Sequence, residues 1–364
     1  MFLAWNEIKY SKVRYLLIIG VLFLISYLVF FLTGLAYGLA QENRTAIDSW
    51  DADGIILPEE ANGNFNMSLF SAEELDNIQA DEKAILGQTP AVIEKDQEDS
   101  GEDRLDVRFL GIDTEQFLTP DVVEGRLVES NGEVVADISL KEENGLNLND
   151  SITLVGGEQA FEIVGFMEDA KLSVAPVLYT TIEAFQEVRF GEPVSDDSEL
   201  AISAIVVRSE TDELDQVTID NDQLELISIG DFINDLPGYN AQLLTFVFMI
   251  SFLIVIAAIV IGIFIYVLTM QKINIFGVMK AQGISSGYIS KSVIAQTFLL
   301  SLIGVLVGLL ATLGTALLLP AAVPFRSNEL FLIVVSMLMI GIAILGALFS
   351  VRTIVKIDPL KAIS

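Results

Sequence analysis

Residues 243–291 read LLTFVFMISFLIVIAAIVIGIFIYVLTMQKINIFGVMKAQGISSGYISK. From Leu243 to Met270 no side chain is charged, and at helical rise this run exceeds the roughly 20 residues that a hydrocarbon core of about 30 Å requires. The remainder turns abruptly polar, with Lys272, Lys280 and Lys291, before a second apolar run begins at Ser292. A long membrane span, a basic connector and a return span therefore lie in one stretch. Two more windows behave like the first: Leu16–Leu39 and Leu330–Phe349; the third span runs Ser292–Leu319.

The rest of the chain has the opposite character. Residues 41–238 hold 47 of the 50 acidic residues and 10 of the 20 basic ones. This segregation reconciles a net charge of −30 with 52% hydrophobic residues. Nine of the ten Lys and Arg outside the acidic stretch lie before the first span, between the second and third, or after the fourth. The positive-inside rule then places both termini and the 271–291 connector in the cytoplasm and residues 41–238 outside. A cleaved signal peptide is the alternative for the first span, with Gly38-Leu39-Ala40 as its small-residue site. The run of some 24 apolar residues exceeds a signal core of about 7–15, so it reads as an uncleaved anchor.

The expected fold is an α-helical membrane protein with four transmembrane helices and a large mixed α/β extracytoplasmic domain inserted between helices 1 and 2. In order these are an amphipathic N-terminal helix (1–14), helix 1 (15–40), the acidic domain (41–238), helix 2 with an outward stalk (239–270), the cytoplasmic connector (271–291), helix 3 (292–319), a short outer loop (320–329), helix 4 (330–350) and a cytoplasmic tail (351–364). Met1, Ala4, Trp5 and Ile8 give the first segment one apolar face, suited to a membrane surface. Within the inserted domain, residues 41–104 are polar and poorly periodic, and 96–103 form a solvated acidic loop. Strand signals recur at Leu105–Leu110, Val134–Ile138, Ser151–Val155, Ala160–Phe166, Val177–Thr180 and Ile202–Val207, with a helix at Thr181–Val188 capped by Thr180 or Thr181.

The chain has no cysteine and no histidine. Disulfides, thiolate metal sites, His-dependent triads and the usual zinc and haem ligation are thereby excluded. No G-x-x-x-x-G-K-[ST] occurs, so the chain cannot cradle nucleotide phosphates, and its acidity excludes a nucleic-acid surface. Asp48, Asp51, Asp53 and Gly54 approach a calcium loop but lack its final Glu, so no metal site is read. No catalytic residue is read either. In the connector, Ile273, Phe276, Gly277 and Lys280 fall at helical spacing, so one side presses into a partner groove while the lysine stays solvated, and Gly283 stops the helix. Tyr27 and Tyr37 on the first helix, with Tyr239, Phe248 and Met249 near the second, are the substrate-path candidates.

These motifs resemble the MacB/FtsX-like (type VII, four-span) permeases of ABC exporters. Gly277-Val278-Met279-Lys280-Ala281-Gln282-Gly283-Ile284-Ser285 is similar to that family's cytoplasmic signature. Arg352 through Asp358-Pro359 to Ala362-Ile363 is similar to its terminal motif, and Gly145-Leu146-Asn147-Leu148-Asn149-Asp150 to the turn of its outer domain. Ile275 stands where many members carry an acidic residue, and Asn149-Asp150 replaces a Gly-Asp turn. Phe276-Gly277 with Lys280–Ile284 is most similar to the HrtB/DevC-like branch, whose members export haem or glycolipid. The resemblance implies a homodimer in the bilayer bound to two copies of a cognate ATPase that carries ATP and Mg, with Phe276, Gly277, Met279, Lys280 and Gly283 at the coupling contact. It implies mechanotransmission and efflux of a hydrophobic or amphipathic compound, with haem, peptide, drug and lipid as the alternatives for the substrate and no cofactor in this chain. Two other functions stay open: an FtsX-like regulator of an extracellular cell-wall hydrolase, and a sensor partner of a two-component system. A plasma membrane of a Gram-positive cell is the expected location.

Overall fold

The computed structural model describes residues 12–95, 104–157, 159–191, 200–209 and 214–355. The N-terminal amphipathic segment, the acidic loop 96–103 and the terminal Asp358-Pro359 motif lie outside these residues. Two compact units emerge, one formed by residues up to Gly38 together with those from Leu244 onward, the other by Leu39–Leu243.

The first unit is helical. It contains α1 (Lys12–Glu42), α6 (Tyr239–Gln271), α7 (Ile273–Ala281), α8 (Ser286–Ala316) and α9 (Glu329–Val355), with the last residues of α1 and the first of α6 belonging to the second unit. Four of these, α1, α6, α8 and α9, are long and apolar enough to cross a membrane. Hydrocarbon gives apolar side chains no reason to leave lipid for protein, so such helices associate through close backbone approach and polar contacts. α1 meets α8 in this way. Gly304 and Gly308 of α8 are buried against Leu22 and Ser26 of α1, and the Ser26 hydroxyl donates to Leu22 O at 2.7 Å with Gly304 O at 3.2 Å.

The second unit is the mixed α/β domain. Its main sheet comprises β1 (Gly54–Pro58), β2 (Glu82–Lys95), β3 (Arg104–Ile112), β4 (Val122–Gly125), β5 (Glu133–Asp137), β6 (Ser151–Leu154), β7 (Ala160–Met167), β8 (Lys171–Leu172), β9 (Ala175–Thr181), β10 (Ala204–Arg208) and β11 (Leu224–Ser228). The strand signals read between 105 and 209 fall on these elements. The helix read at Thr181–Val188 is α4 (Ile182–Phe190), whose N-cap Thr181 accepts from Ala184 N at 3.2 Å. Short helices α2 (Thr45–Asp48), α3 (Ser139–Asn144) and α5 (Ile229–Asp235) complete the domain.

Pairing runs β2–β3–β9–β5–β7–β6 and returns to β2, so six strands close on themselves. Closure removes exposed strand edges and encloses Val107, Phe109, Val134, Ile152, Phe161, Ile163 and Leu178. The other half of β2 continues antiparallel into β10, β1 and β11. Where the two halves meet, Gly87 and Gly111 face each other across the ladder, and a Cβ on either would collide with the buried Phe185 of α4. That glycine pair is the seat into which α4 packs.

Residues 41–104, read as polar and poorly periodic, carry β1 and β2 of the main sheet. Ile55, Ile56 and Leu57 are all buried, as are Ala84 to Thr89. Strands covered on both faces show no period-2 alternation, and that alternation is the signal a sequence scan seeks.

The β8–β9 turn puts Ser173 (φ 52°) and Val174 (φ 70°) in the left-handed region, which a β-branched residue rarely enters. Its amides explain why it persists: Ser173 N donates to Asn43 O at 3.0 Å and Val174 N to Glu42 O at 3.1 Å. The turn thus satisfies carbonyls that the end of α1 leaves open. Lys171 Nζ, 2.9 Å from Glu42 Oε1, adds a cation at the same helix C-terminus.

The Arg126 guanidinium forks onto both carboxylate oxygens of Glu133, at 2.6 and 2.7 Å, and Glu129 N donates to the same carboxylate at 2.8 Å. Arg126 first, with that backbone donor behind it, holds Glu133 down to about 2 from the usual 4.5. A depressed carboxylate stabilises the fold above its unfolded value and loses that contribution as pH falls through its folded value. Acid titration of the wild-type domain between pH 4.5 and 2 should therefore show a destabilisation that Glu133→Gln lacks, read by circular dichroism. The effect is small because the pair faces solvent.

Candidate functional site

At the end of α6 the backbone breaks. Lys272 adopts φ −102° and ψ 2°, its N–H donates to Thr269 O, and α7 starts at the next residue. α7 stops at Gly283, whose φ of +88° suits glycine, with Gly283 N donating to Lys280 O and Ile284 N to Met279 O. Ser285 then caps α8, its hydroxyl accepting from Tyr288 N at 3.3 Å. A short helix is thereby set between two long ones, with a backbone break at each end.

The face of α7 read as the partner contact is turned inward. Phe276 and Gly277 are buried, Phe276 packing with Ile289 and Val293 of α8 and Val351 of α9, and Met279 is half-buried against the same cluster. Both sides of this nine-residue helix are apolar, and the pull of the α8–α9 cluster decides which one turns home. What α7 exposes is Asn274, Ile275, Val278 and Ala281, continued by Gln282 and Gly283, with Ile275 57% exposed and Val278 45%. Lys280 is half-buried.

The substrate-path candidates do not form one pocket. Tyr27 shares a hydrogen bond of 3.1 Å with the Thr315 hydroxyl of α8 and stacks on Phe31. Tyr37 accepts from Asn328 Nδ2 at 3.3 Å and meets Phe331 edge-on. Both tyrosines tie α1 to its neighbours within the bundle. Tyr239 is a core residue of the α/β domain, buried in the cluster that holds Trp50 and Phe232. Phe248 and Met249 are the two that α6 presents outward, 62% and 38% exposed.

Two features escaped the sequence reading. Between α6 and α9 an apolar groove of about 500 Å³ runs past Gly262, Ile263, Tyr266, Leu345, Gly346 and Phe349. At the α6–α7 junction, Lys272 is buried and its Nζ donates to Tyr15 Oη at 2.7 Å and Gln296 Oε1 at 3.1 Å. Sequence scanning counts a lysine beside an apolar run as a solvated flank, and nothing in the local pattern signals its partners. Among the described residues no group of three or more carboxylates is placed to hold a metal ion; Asp48 is paired with Arg44, and Asp53 Oδ2 accepts from Ser209 N at 2.7 Å.

Four membrane-length helices, a connector helix between the second and third, and a closed-sheet domain inserted after the first define a multi-pass membrane protein. Residues 247–359 match the model of the FtsX-like permease C-terminal domain, which takes in most of α6 and the whole of α7, α8 and α9. Over its full length the chain is similar to ABC transporter permeases. It is 27% identical over 376 residues to a putative hemin transport system permease protein, HrtB, of Staphylococcus haemolyticus, covering 100% of this chain and 99% of that one. It is 24% identical over 366 residues to an uncharacterised ABC transporter permease of Mycobacterium tuberculosis, with 100% and 99% covered. Among solved structures, the periplasmic region of MacB from Actinobacillus actinomycetemcomitans aligns at 12% identity and a TM-score of 0.34, covering 50% of this chain and 90% of that one.

Proposed function

We propose that this chain is the membrane subunit of an exporter in which a separate ATPase drives removal of an amphipathic, haem-like compound from the membrane. The observation that carries the reading is the end-to-end similarity to a hemin transport permease, joined to a connector helix that exposes an apolar strip. Two permeases and two ATPases form the working unit, with the connector and both termini in the cytoplasm and the α/β domain outside a single cell membrane. The ATPase closes on ATP and pushes α7, and the long helices carry the displacement to the α/β domain. Cargo enters along the exposed side of α6, where Phe248 and Met249 lie. Histidine is absent, so a bound haem takes Tyr, Met or Glu as its axial partner.

The test is reconstitution of the full-length permease with its ATPase in lipid vesicles loaded with hemin. ATP-dependent hemin depletion is the expected result, and hydrolysis without depletion would remove the haem-export version. Topology is checked separately. The chain lacks cysteine, so single engineered thiols label uniquely. In intact cells an impermeant maleimide should reach Ser130→Cys and not Gln282→Cys, both exposed positions.

The geometry of α7 assigns different outcomes to its two faces. Ile275→Glu and Val278→Glu place charge on the exposed strip and should abolish co-purification of the ATPase while leaving the permease's thermal stability within about 0.5 kcal/mol of wild type. Phe276→Ala empties a packed site and should instead cost about 3 kcal/mol of stability. Affinity pull-down and thermal unfolding of the same preparations separate the two.

A further inference from the structure

We infer that Lys272 is a positioning residue that locks the α6–α7 junction to α1 and α8, so that a push on α7 reaches α1 directly. The inference rests on the exporter reading above and goes further by naming the transmitting contact.

The backbone alone does not deliver this coupling. Lys272 is where the helical hydrogen-bond pattern of α6 ends and that of α7 starts, with no side-chain cap, so the main chain there is a joint. The side chain closes the joint. Its Nζ donates to Tyr15 on α1 and to Gln296 on α8, and lies 5.3 Å from the centre of the Tyr15 ring. All three residues are buried, at 6%, 1% and 7% exposure. Hydrogen bonds in a site closed to water are electrostatically stronger than in water and polarise one another. Below the junction, Phe276 seats α7 on α8 and α9. Displacement of α7 therefore carries the Lys272 amine with it, and Tyr15 and α1 follow. The contact is distinct from the exposed strip that meets the motor, because Lys272 faces the bundle.

A cargo-independent experiment tests this. An environment-sensitive fluorophore on Leu24→Cys, an exposed position of α1 in a chain without other thiols, reports movement of that helix in the full permease–ATPase complex. The wild-type background should show a spectral change when ATP and vanadate trap the motor. Lys272→Met should reduce that change at least about fivefold while ATP hydrolysis and complex assembly persist, a coupling loss of ordinary allosteric size. Tyr15→Phe, which keeps the ring and removes the acceptor, should do the same. The double variant should be no worse than either, as members of one network behave. Lys272→Arg should restore part of the response. An unchanged response in Lys272→Met overturns the inference, as does a loss shared in equal proportion by movement, hydrolysis and thermal stability, since that describes a merely structural residue. Absence of any ATP-driven change in the wild-type background, with hydrolysis intact, is a different result: it overturns the exporter mechanism itself and the inference with it.

Discussion

Gly308→Leu should dismantle the contact between α1 and α8. A side chain at this position would meet the Ser26 hydroxyl at once and lie 3.0 Å from the backbone nitrogen of Tyr27, an atom that cannot step aside. Four residues earlier, a Cβ on Gly304 would stand 2.5 Å from Leu22 Cβ. The two glycines form one flat strip on α8 against which α1 lies. The polar contacts around them all require that closeness: Ser26 to Gly304 O, Thr312 to Tyr27 O at 3.5 Å, and Tyr27 to Thr315. In lipid no hydrophobic term compensates for pushing the helices apart. Overpacking against backbone is therefore expected to cost about 3 kcal/mol, which at roughly 2–4 °C per kcal/mol lowers the melting temperature of the detergent-extracted permease by roughly 6–12 °C. Gly314→Ala is the control: nothing lies within 4 Å of a Cβ there, so its melting temperature should match wild type. Equal melting temperatures for Gly308→Leu and wild type would show that α1 does not pack on α8 as described.

The contrast between Gly308 and Gly314 also marks what the sequence could carry. Four spans and a mixed α/β insert were legible because bilayer thickness imposes a long charge-free run and a half-buried strand imposes alternation. Both signals live in consecutive residues. β1 and β2 were not legible, because burial on both faces erases alternation and leaves Ile55–Leu57 looking like any short apolar run. The helix stop at Gly283 was legible, since left-handed backbone selects glycine locally. The orientation of α7 was not: Phe276 and Val278 are both apolar, and only the α8–α9 surface, built from residues more than ten positions away, distinguishes them. Tyr239 illustrates the same limit from the other side. It borders an apolar span in sequence, yet the core that buries it is assembled from Trp50, Phe65 and Phe232. The Lys272 cluster joins residues 257 and 24 positions apart, a separation at which pattern reading carries no information.

The same core supplies the second large effect. Trp50 is 2% exposed, donates from Nε1 to Tyr179 Oη at 3.0 Å, and meets Phe65 edge-on, which in turn meets Phe232. Arg208 donates to the carbonyls of Trp50 and Asp51 at 2.8 and 2.7 Å, pinning the segment that follows α1 and α2. Burial pushes the Tyr179 hydroxyl up to about 12, so it stays protonated across the physiological range and must find a partner inside the core. Trp50→Ala creates a large cavity and weakens the partnering of that hydroxyl. The two effects are expected to cost about 3–5 and about 1–3 kcal/mol, a large share of a stability of about 5–15 kcal/mol. Trp50→Phe keeps most of the apolar bulk and loses the donor, so it should cost only about 1–3 kcal/mol. The decisive variant is Trp50→Phe combined with Tyr179→Phe. Removing both polar partners leaves nothing to strand, so the double variant should be more stable than Trp50→Phe alone, measured by urea unfolding followed by far-ultraviolet circular dichroism. If the two substitutions simply add, the indole–hydroxyl bond does not hold this core together. The chain leaving α1 is then fixed to the α/β domain by Arg208, the Ser173–Val174 turn and the contacts of Lys171 with Glu42 and Thr45.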